Sequence, residues 1–156
     1  MGKTLIAVAG CHAREAYADA QRKTWVKDVR GADVRFFAGR PSIFAVAPRC
    51  ADDVWLQVPD GYWQRKLKVL AMILWALERG YEYMWKIDDD VYVRPERLLA
   101  LPQVDYQGLV INAPQEGLRV CHGFLYGISL ASMARLLFKP DKWPECLHED
   151  IWVLKR

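Results

Sequence analysis

Tyr83-Met84-Trp85-Lys86-Ile87 runs straight into Asp88-Asp89-Asp90, and the reading of this junction decides the rest of the chain. A mostly apolar segment of strand length that ends abruptly in carboxylates describes a buried strand with an acidic tip. Adjacent carboxylates repel one another, and strand ends disfavour Asp. A fold gains little from such a placement unless a positive group compensates. A divalent cation does so, because hard cations take oxygen ligands and share them with substrate phosphates. Residues two apart on an extended strand point the same way. Asp88 and Asp90 are therefore expected to face a ligand together, with Asp89 turned away or touching what the ligand carries. The competing reading is a solvated acidic turn, or a capping cluster ahead of the helix that Pro95 opens.

The flanking segments alternate strand and helix. Residues 5–9 form a short apolar run closed by Gly10, as in a central parallel strand. Residues 13–29 read as a helix, residues 34–39 and 54–58 as strands, and Pro59-Asp60-Gly61 as a turn. Residues 62–79 read as a long helix, with Trp63, Leu67, Leu70, Leu74 and Leu77 along one face and Gly80 as its stop. Residues 95–99 start with Pro at a tolerated helical position. Residues 108–112 and 120–128 are strand candidates. Residues 129–138 are a helix with Ser129 as N-cap, and residues 147–156 a last helical segment. Alternation of this kind implies right-handed crossovers and a largely parallel α/β sheet, with later strands added antiparallel. Ligands of open α/β sheets bind at the carboxyl ends of the strands, which is where the acidic triplet falls.

The chain has 156 residues, 53% of them hydrophobic and 26% charged. That is the size of one domain, able to bury about 70% of the surface its unfolded chain exposes. Residues 1–156 are read as a single domain. The net charge of +3 argues against a nucleic-acid surface. Arg65, Lys66 and Lys68 form a local basic cluster that suits either a phosphate or a solvated helix face. The cysteines, Cys11, Cys50, Cys121 and Cys146, show no C-x-x-C spacing, so a zinc knuckle is not expected. The opening apolar run is too short for a membrane span and makes a poor signal peptide. The expectation is therefore a cytoplasmic protein with reduced thiols and no integral membrane segment.

Trp85 to Val93, read as W-K-I-D-D-D-V-Y-V, resembles the K-x-D-D-D-V-F-V block of the β-1,3-galactosyltransferase and Fringe family, glycosyltransferase family 31. Further blocks follow in the family's order. Arg22-Lys23-Thr24-Trp25 resembles R-x-T-W, and Phe36-Phe37-Ala38-Gly39 resembles F-x-x-G. Asp60-Gly61-Tyr62 with Lys68 resembles D-x-Y-x-N-L-T-x-K. The run from Gly123 through Tyr126 to Ser129 resembles G-x-x-Y-x-x-S, and Glu149-Asp150-Ile151 resembles E-D-V. The resemblance implies a GT-A-like, Rossmann-type mixed sheet with helices on both faces. It also implies an inverting hexosyltransferase with a UDP-sugar donor, Mn²⁺ or Mg²⁺, and a carbohydrate or glycan acceptor. Carried over by residue, Asp88 and Asp90 hold the metal. Arg22, Lys68, Asp88 and Asp89 hold the nucleotide-sugar, and Asp150 is the general base. The chain departs from the family at Gln64-Arg65-Lys66 and at Val153-Leu154, and is short at its carboxyl end relative to the family.

Each residue also has a plainer use. Asp150 suits a helix N-terminus, Arg22 and Lys68 suit a helix surface, and Trp25 suits the core. Gly123 and Gly127 suit close backbone approach. His12, His122 and His148 are candidate metal ligands. Two other functions fit the carboxylates: a metal-dependent phosphohydrolase using Asp88, Asp90 and Glu149 or Asp150, and a non-catalytic nucleotide-sugar-binding module.

Overall fold

A computed structural model describes residues 2–40, 48–113 and 118–138. The segment at 147–156, with His148, Glu149 and Asp150, lies outside the described residues. The strands are β1 (Thr4–Ala9), β2 (Asp33–Arg40), β3 (Asp53–Pro59), β4 (Tyr83–Asp88), β5 (Tyr106–Ala113) and β6 (Leu118–Ser129). The helices are α1 (Glu15–Lys23), α2 (Arg65–Glu78), α3 (Pro95–Leu99) and α4 (Leu130–Phe138). The strands form one six-stranded sheet in the order β3-β2-β1-β4-β6-β5. β1 pairs in parallel with β2 and β4, and β2 with β3, whereas β6 runs antiparallel to β4 and β5. This is the α/β mixed sheet expected, parallel in its first half.

The alternation of β1 builds both faces of the core. Leu5 and Ala7 pack with Val69, Met72, Ile73 and Ala76 of α2 and Met133 of α4. Ile6 and Val8 pack on the other face with Trp25, Val34, Phe36 and Leu98. Each buried Val, Leu, Ile, Phe or Met among them contributes about 1.5–3 kcal/mol by leaving water.

Two elements differ from expectation. The segment read as one helix from residue 13 divides into a 3₁₀ turn (His12–Arg14), α1 and a second 3₁₀ turn (Val26–Asp28). Thr24 breaks it: its hydroxyl donates back to the Ala20 carbonyl at 2.8 Å, competing with the helical ladder. The buried stripe of α2 is also rotated from the one read in sequence. Trp63, in a 3₁₀ turn (Tyr62–Gln64) before α2, is 76% exposed, and Leu67 and Leu74 are also exposed; Leu70 is buried and Leu77 packs on the core as expected, but Val69, Met72, Ile73 and Ala76 make up most of the buried face. α2 is apolar around most of its circumference, so periodicity alone could not choose the face. Gly80 does stop the helix, at φ +71°, with its N–H donating to the Leu77 carbonyl. Ser129 Oγ accepts from the Ser132 N–H at 3.3 Å, as an N-cap does.

The strand order reverses direction between β1 and β4. β2 and β3 lie on one side of β1, and β4 begins the other side. A crevice at the carboxyl ends of β1 and β4 is where an open α/β sheet takes its ligand. Gly10 follows β1 at that point, and the acidic triplet follows β4.

Candidate functional site

The crevice holds a cavity of about 210 Å³. Its walls include Gly10 and Cys11 after β1, Asp60 and Gly61 after β3, Arg65 and Lys68 of α2, and Lys86, Asp88 and Asp89 of β4 and its end. Period-two alternation puts Lys86 and Asp88 on the same face of β4. Lys86 is 2% exposed, and its ammonium meets Asp88 Oδ1 at 2.5 Å and the Gly123 carbonyl. Lys68 is buried rather than solvated: Lys68 Nζ donates to Asp60 Oδ1 and to the Gly10 carbonyl, both at 2.8 Å. Asp60 also accepts from the Gly39 N–H at 2.7 Å and the His12 N–H at 2.8 Å. One carboxylate thus ties the ends of β1, β2 and β3 to the first turn of α2.

The triplet does not continue the strand. β4 ends at Asp88, and Asp89 and Asp90 form a turn. The alternation expected to aim Asp88 and Asp90 together stops there. Asp88 lines the cavity with Lys68, while Asp90 lines an adjoining open cleft with Tyr17 and Tyr92 and reaches Arg14 of the cavity wall with its carboxylate. Asp89, 4% exposed, stands in the wall between them. Arg14 grips both turn residues, one guanidinium nitrogen 3.0 Å from Asp89 Oδ1 and the other 2.9 Å from Asp90 Oδ2. Burial pushes the Asp89 carboxyl up to about 6, against the pull of Arg14 and with repulsion from Asp90 and Asp88. The hydrogen bond from Arg14 holds the Asp90 carboxyl below the usual range. From beneath, the Gln21 amide donates to the carbonyls of Asp89 at 2.8 Å and Val91 at 2.9 Å, and more weakly to that of Asp88 at 3.3 Å.

Arg22 lines a smaller adjoining hollow with Gly10, Arg14, Phe36 and Asp53. Its guanidinium lies over the Phe36 ring and pairs with Asp52, Asp53 and Asp19. Burial disfavours its charge, but Asp52 and Asp53 overcome this and raise its pKa further. His12 Nε2 contacts the Gly39 carbonyl at 2.7 Å, with its ring edge-on to Trp55. His122 Nδ1 accepts from the Phe124 N–H. Trp25 is core, as the plainer reading had it.

Arg14, Gln21 and Asp60 were not assigned roles from sequence. Arg14 lies just past the glycine that ends the first strand, a position that places a side chain over the sheet's carboxyl edge. Gln21 carries no such signal.

The cation chemistry can be tested against the donors present. Asp88 and Asp90 offer hard carboxylate oxygens, 38% and 50% exposed. Among the described residues no group of three or more His, Cys, Asp or Glu gathers around a point that could hold a metal. Mg²⁺ commonly binds through one or two carboxylates plus substrate phosphates and water. Asp88 and Asp90 offer the donor chemistry of such an ion, the one or two carboxylates it takes beside a diphosphate.

The sequence profile of the family described as Galactosyltransferase matches residues 19–108. The match runs from within α1 through β4 and the acidic triplet into the start of β5. No curated protein matches the chain. The fold, the switch-point cavity and the match define a glycosyltransferase domain, which implies a sugar donor and an acceptor. The chain belongs to the Galactosyltransferase family. Among the described residues no helix is long and apolar enough to cross a membrane.

Proposed function

We propose that this domain is an inverting hexosyltransferase that takes a UDP-sugar with Mn²⁺ or Mg²⁺ and glycosylates an acceptor hydroxyl, forming a β-1,3 linkage. The observation that carries the reading is the cavity between the ends of β1 and β4, where the buried ammonium groups of Lys68 and Lys86 lie beside Asp88 and Asp89. Asp88 and Asp90 would hold the cation, which when bound supplies Lewis-acid stabilisation to the departing diphosphate. Lys68, Lys86, Arg65 and Arg14 stand as cationic donors around the same space beside Asp60, Asp88 and Asp89, and fixed groups in a water-poor crevice act on developing negative charge without reorganising. Gly10 and Gly61 leave the cavity walls open to a close approach of ligand. Asp150 takes the acceptor proton as general base.

Calorimetric titration of UDP, with Mn²⁺ and then with EDTA, tests this. Binding is expected only with Mn²⁺ and is expected to be lost in Asp90→Asn. Equal binding in EDTA, unchanged by that substitution, would overturn the metal–diphosphate assignment.

A further inference from the structure

The two exposed carboxylates of the triplet each already have a protein cation, and the two cations differ in mobility. Lys86 is 2% exposed, held on a central strand between Asp88 and the Gly123 carbonyl. Its ammonium is enclosed between those two oxygens. Arg14 is 38% exposed and sits on a short 3₁₀ turn. That turn is anchored by the Arg14 N–H donating to the Cys11 carbonyl at 3.0 Å. Its guanidinium lies over the exposed Tyr17 ring, 4.4 Å from the centroid. Because the side chain is partly exposed, it can turn once those contacts are exchanged for others, without moving the backbone. Arg14 also borders both the main cavity and the smaller hollow beside it. A planar guanidinium matches phosphate oxygens as well as it matches carboxylates.

We propose that Arg14 is a built-in counter-cation. In the ligand-free protein it neutralises Asp89 and Asp90. When a divalent ion and a diphosphate enter, it yields Asp90 to the ion and turns to the phosphates. The inference rests on the metal–diphosphate reading of the site. It explains how Asp90, tied to Arg14 in the ligand-free protein, becomes available to an ion: breaking the Arg14–Asp90 contact frees its carboxylate. It also makes ion and nucleotide binding mutually supportive, because an ion alone competes with Arg14 whereas an ion with diphosphate gives Arg14 a new partner.

The test is Mn²⁺ binding to the full chain, followed by the loss of the free-ion electron paramagnetic resonance signal, with and without UDP. Arg14→Met removes the charge and keeps the stem. It is expected to bind Mn²⁺ alone about fivefold tighter than the parent, in line with the strength of a partly exposed ion pair. With saturating Mn²⁺ it is expected to bind UDP about tenfold more weakly. Mn²⁺ binding by Arg14→Met that is equal to or weaker than the parent's would overturn the counter-cation role while leaving the metal site standing. Failure of the parent to bind Mn²⁺ even with UDP would remove the metal reading and this inference together. Arg14→Lys keeps a charge and serves if the Met variant does not fold. It is expected to bind Mn²⁺ alone as the parent does, and UDP with Mn²⁺ about threefold more weakly for want of the fork. Unchanged UDP binding in Arg14→Lys would overturn the turn toward phosphate.

Discussion

Gln21 shows how much of the acidic turn depends on a side chain outside it. Its orientation is settled by its surroundings: the reverse amide would set Oε1 against the carbonyl oxygens of Asp88, Asp89 and Val91. Gln21→Leu leaves buried carbonyls unpaired, at a cost of about 1–3 kcal/mol. A melting temperature lower by several degrees is expected. Gln21→Glu places a carboxylate against the same oxygens and against the triplet, so it is expected to melt lower than Gln21→Leu. The reverse order in a thermal scan would refute the clamp. The triplet itself was legible, because three acidic residues at a strand end have few structural uses. Gln21 was not, because nothing local distinguishes it from any other glutamine on a helical segment, and Arg14 was marked only by its place just past the glycine after the first strand.

The strand ends carry the site, and their turns are packed without slack. A Cβ on Gly39 would stand 2.6 Å from the Asp60 backbone, which cannot rotate aside. Gly39→Ala is therefore expected to displace Asp60, release Lys68 and weaken UDP binding about tenfold, in line with losing a charge-assisted contact. Gly31→Ala is the control. Its φ of +79° is unfavourable for alanine, but no atom lies within 4 Å of the new Cβ. It is expected to cost about 1–2 kcal/mol of stability and leave UDP affinity alone. Titrations of both variants check the pair.

A second turn is pH-sensitive. Tyr81, just past the Gly80 stop, donates its hydroxyl to Asp33 Oδ2 at 2.6 Å, tying the start of β4 to β2. Burial and the Asp33 contact push the Tyr81 hydroxyl from 10.0 up to about 12. That hydrogen bond, with help from Lys3, holds the Asp33 carboxyl below 3.8. A raised tyrosine contributes fully below pH 10 and loses its contribution as pH climbs toward 12. A depressed carboxyl contributes above pH 3.8 and loses its contribution as pH falls through its folded value. The stability difference between the parent and Tyr81→Phe should therefore shrink at both extremes, which denaturant midpoints across pH would show.

The family match ends at residue 108, and Asp150 lies beyond both the matched stretch and the described residues. The donor half of the proposed chemistry thus stands on the parallel half of the sheet, while the acceptor half rests on the last segment. If Asp150 is the general base, Asp150→Asn lowers turnover by about 10²–10⁴-fold. UDP affinity with Mn²⁺ should stay as in the parent. Single-turnover kinetics beside the UDP titration separate the two. A parallel loss of UDP binding would place Asp150 in the donor site instead.

The sequence by itself determined the α/β alternation, the central strands and the acidic tip of β4, because each is written in local apolar runs, turn residues and charge. It also carried the family, through short blocks whose order matters more than any one of them. Only the tertiary structure decided which face of α2 is buried, since a helix apolar around most of its surface has its face chosen by its neighbours. It likewise decided that Lys68 is a buried tie to Asp60 and that Arg22 is paired with Asp52 and Asp53. The turn that ends β4 after Asp88 and the grip of Arg14 on it also arise there. These depend on where strand ends meet across the sheet, and contacts between residues 14 and 90, or 10 and 68, are set by the order in which strands pair rather than by any pattern along the chain.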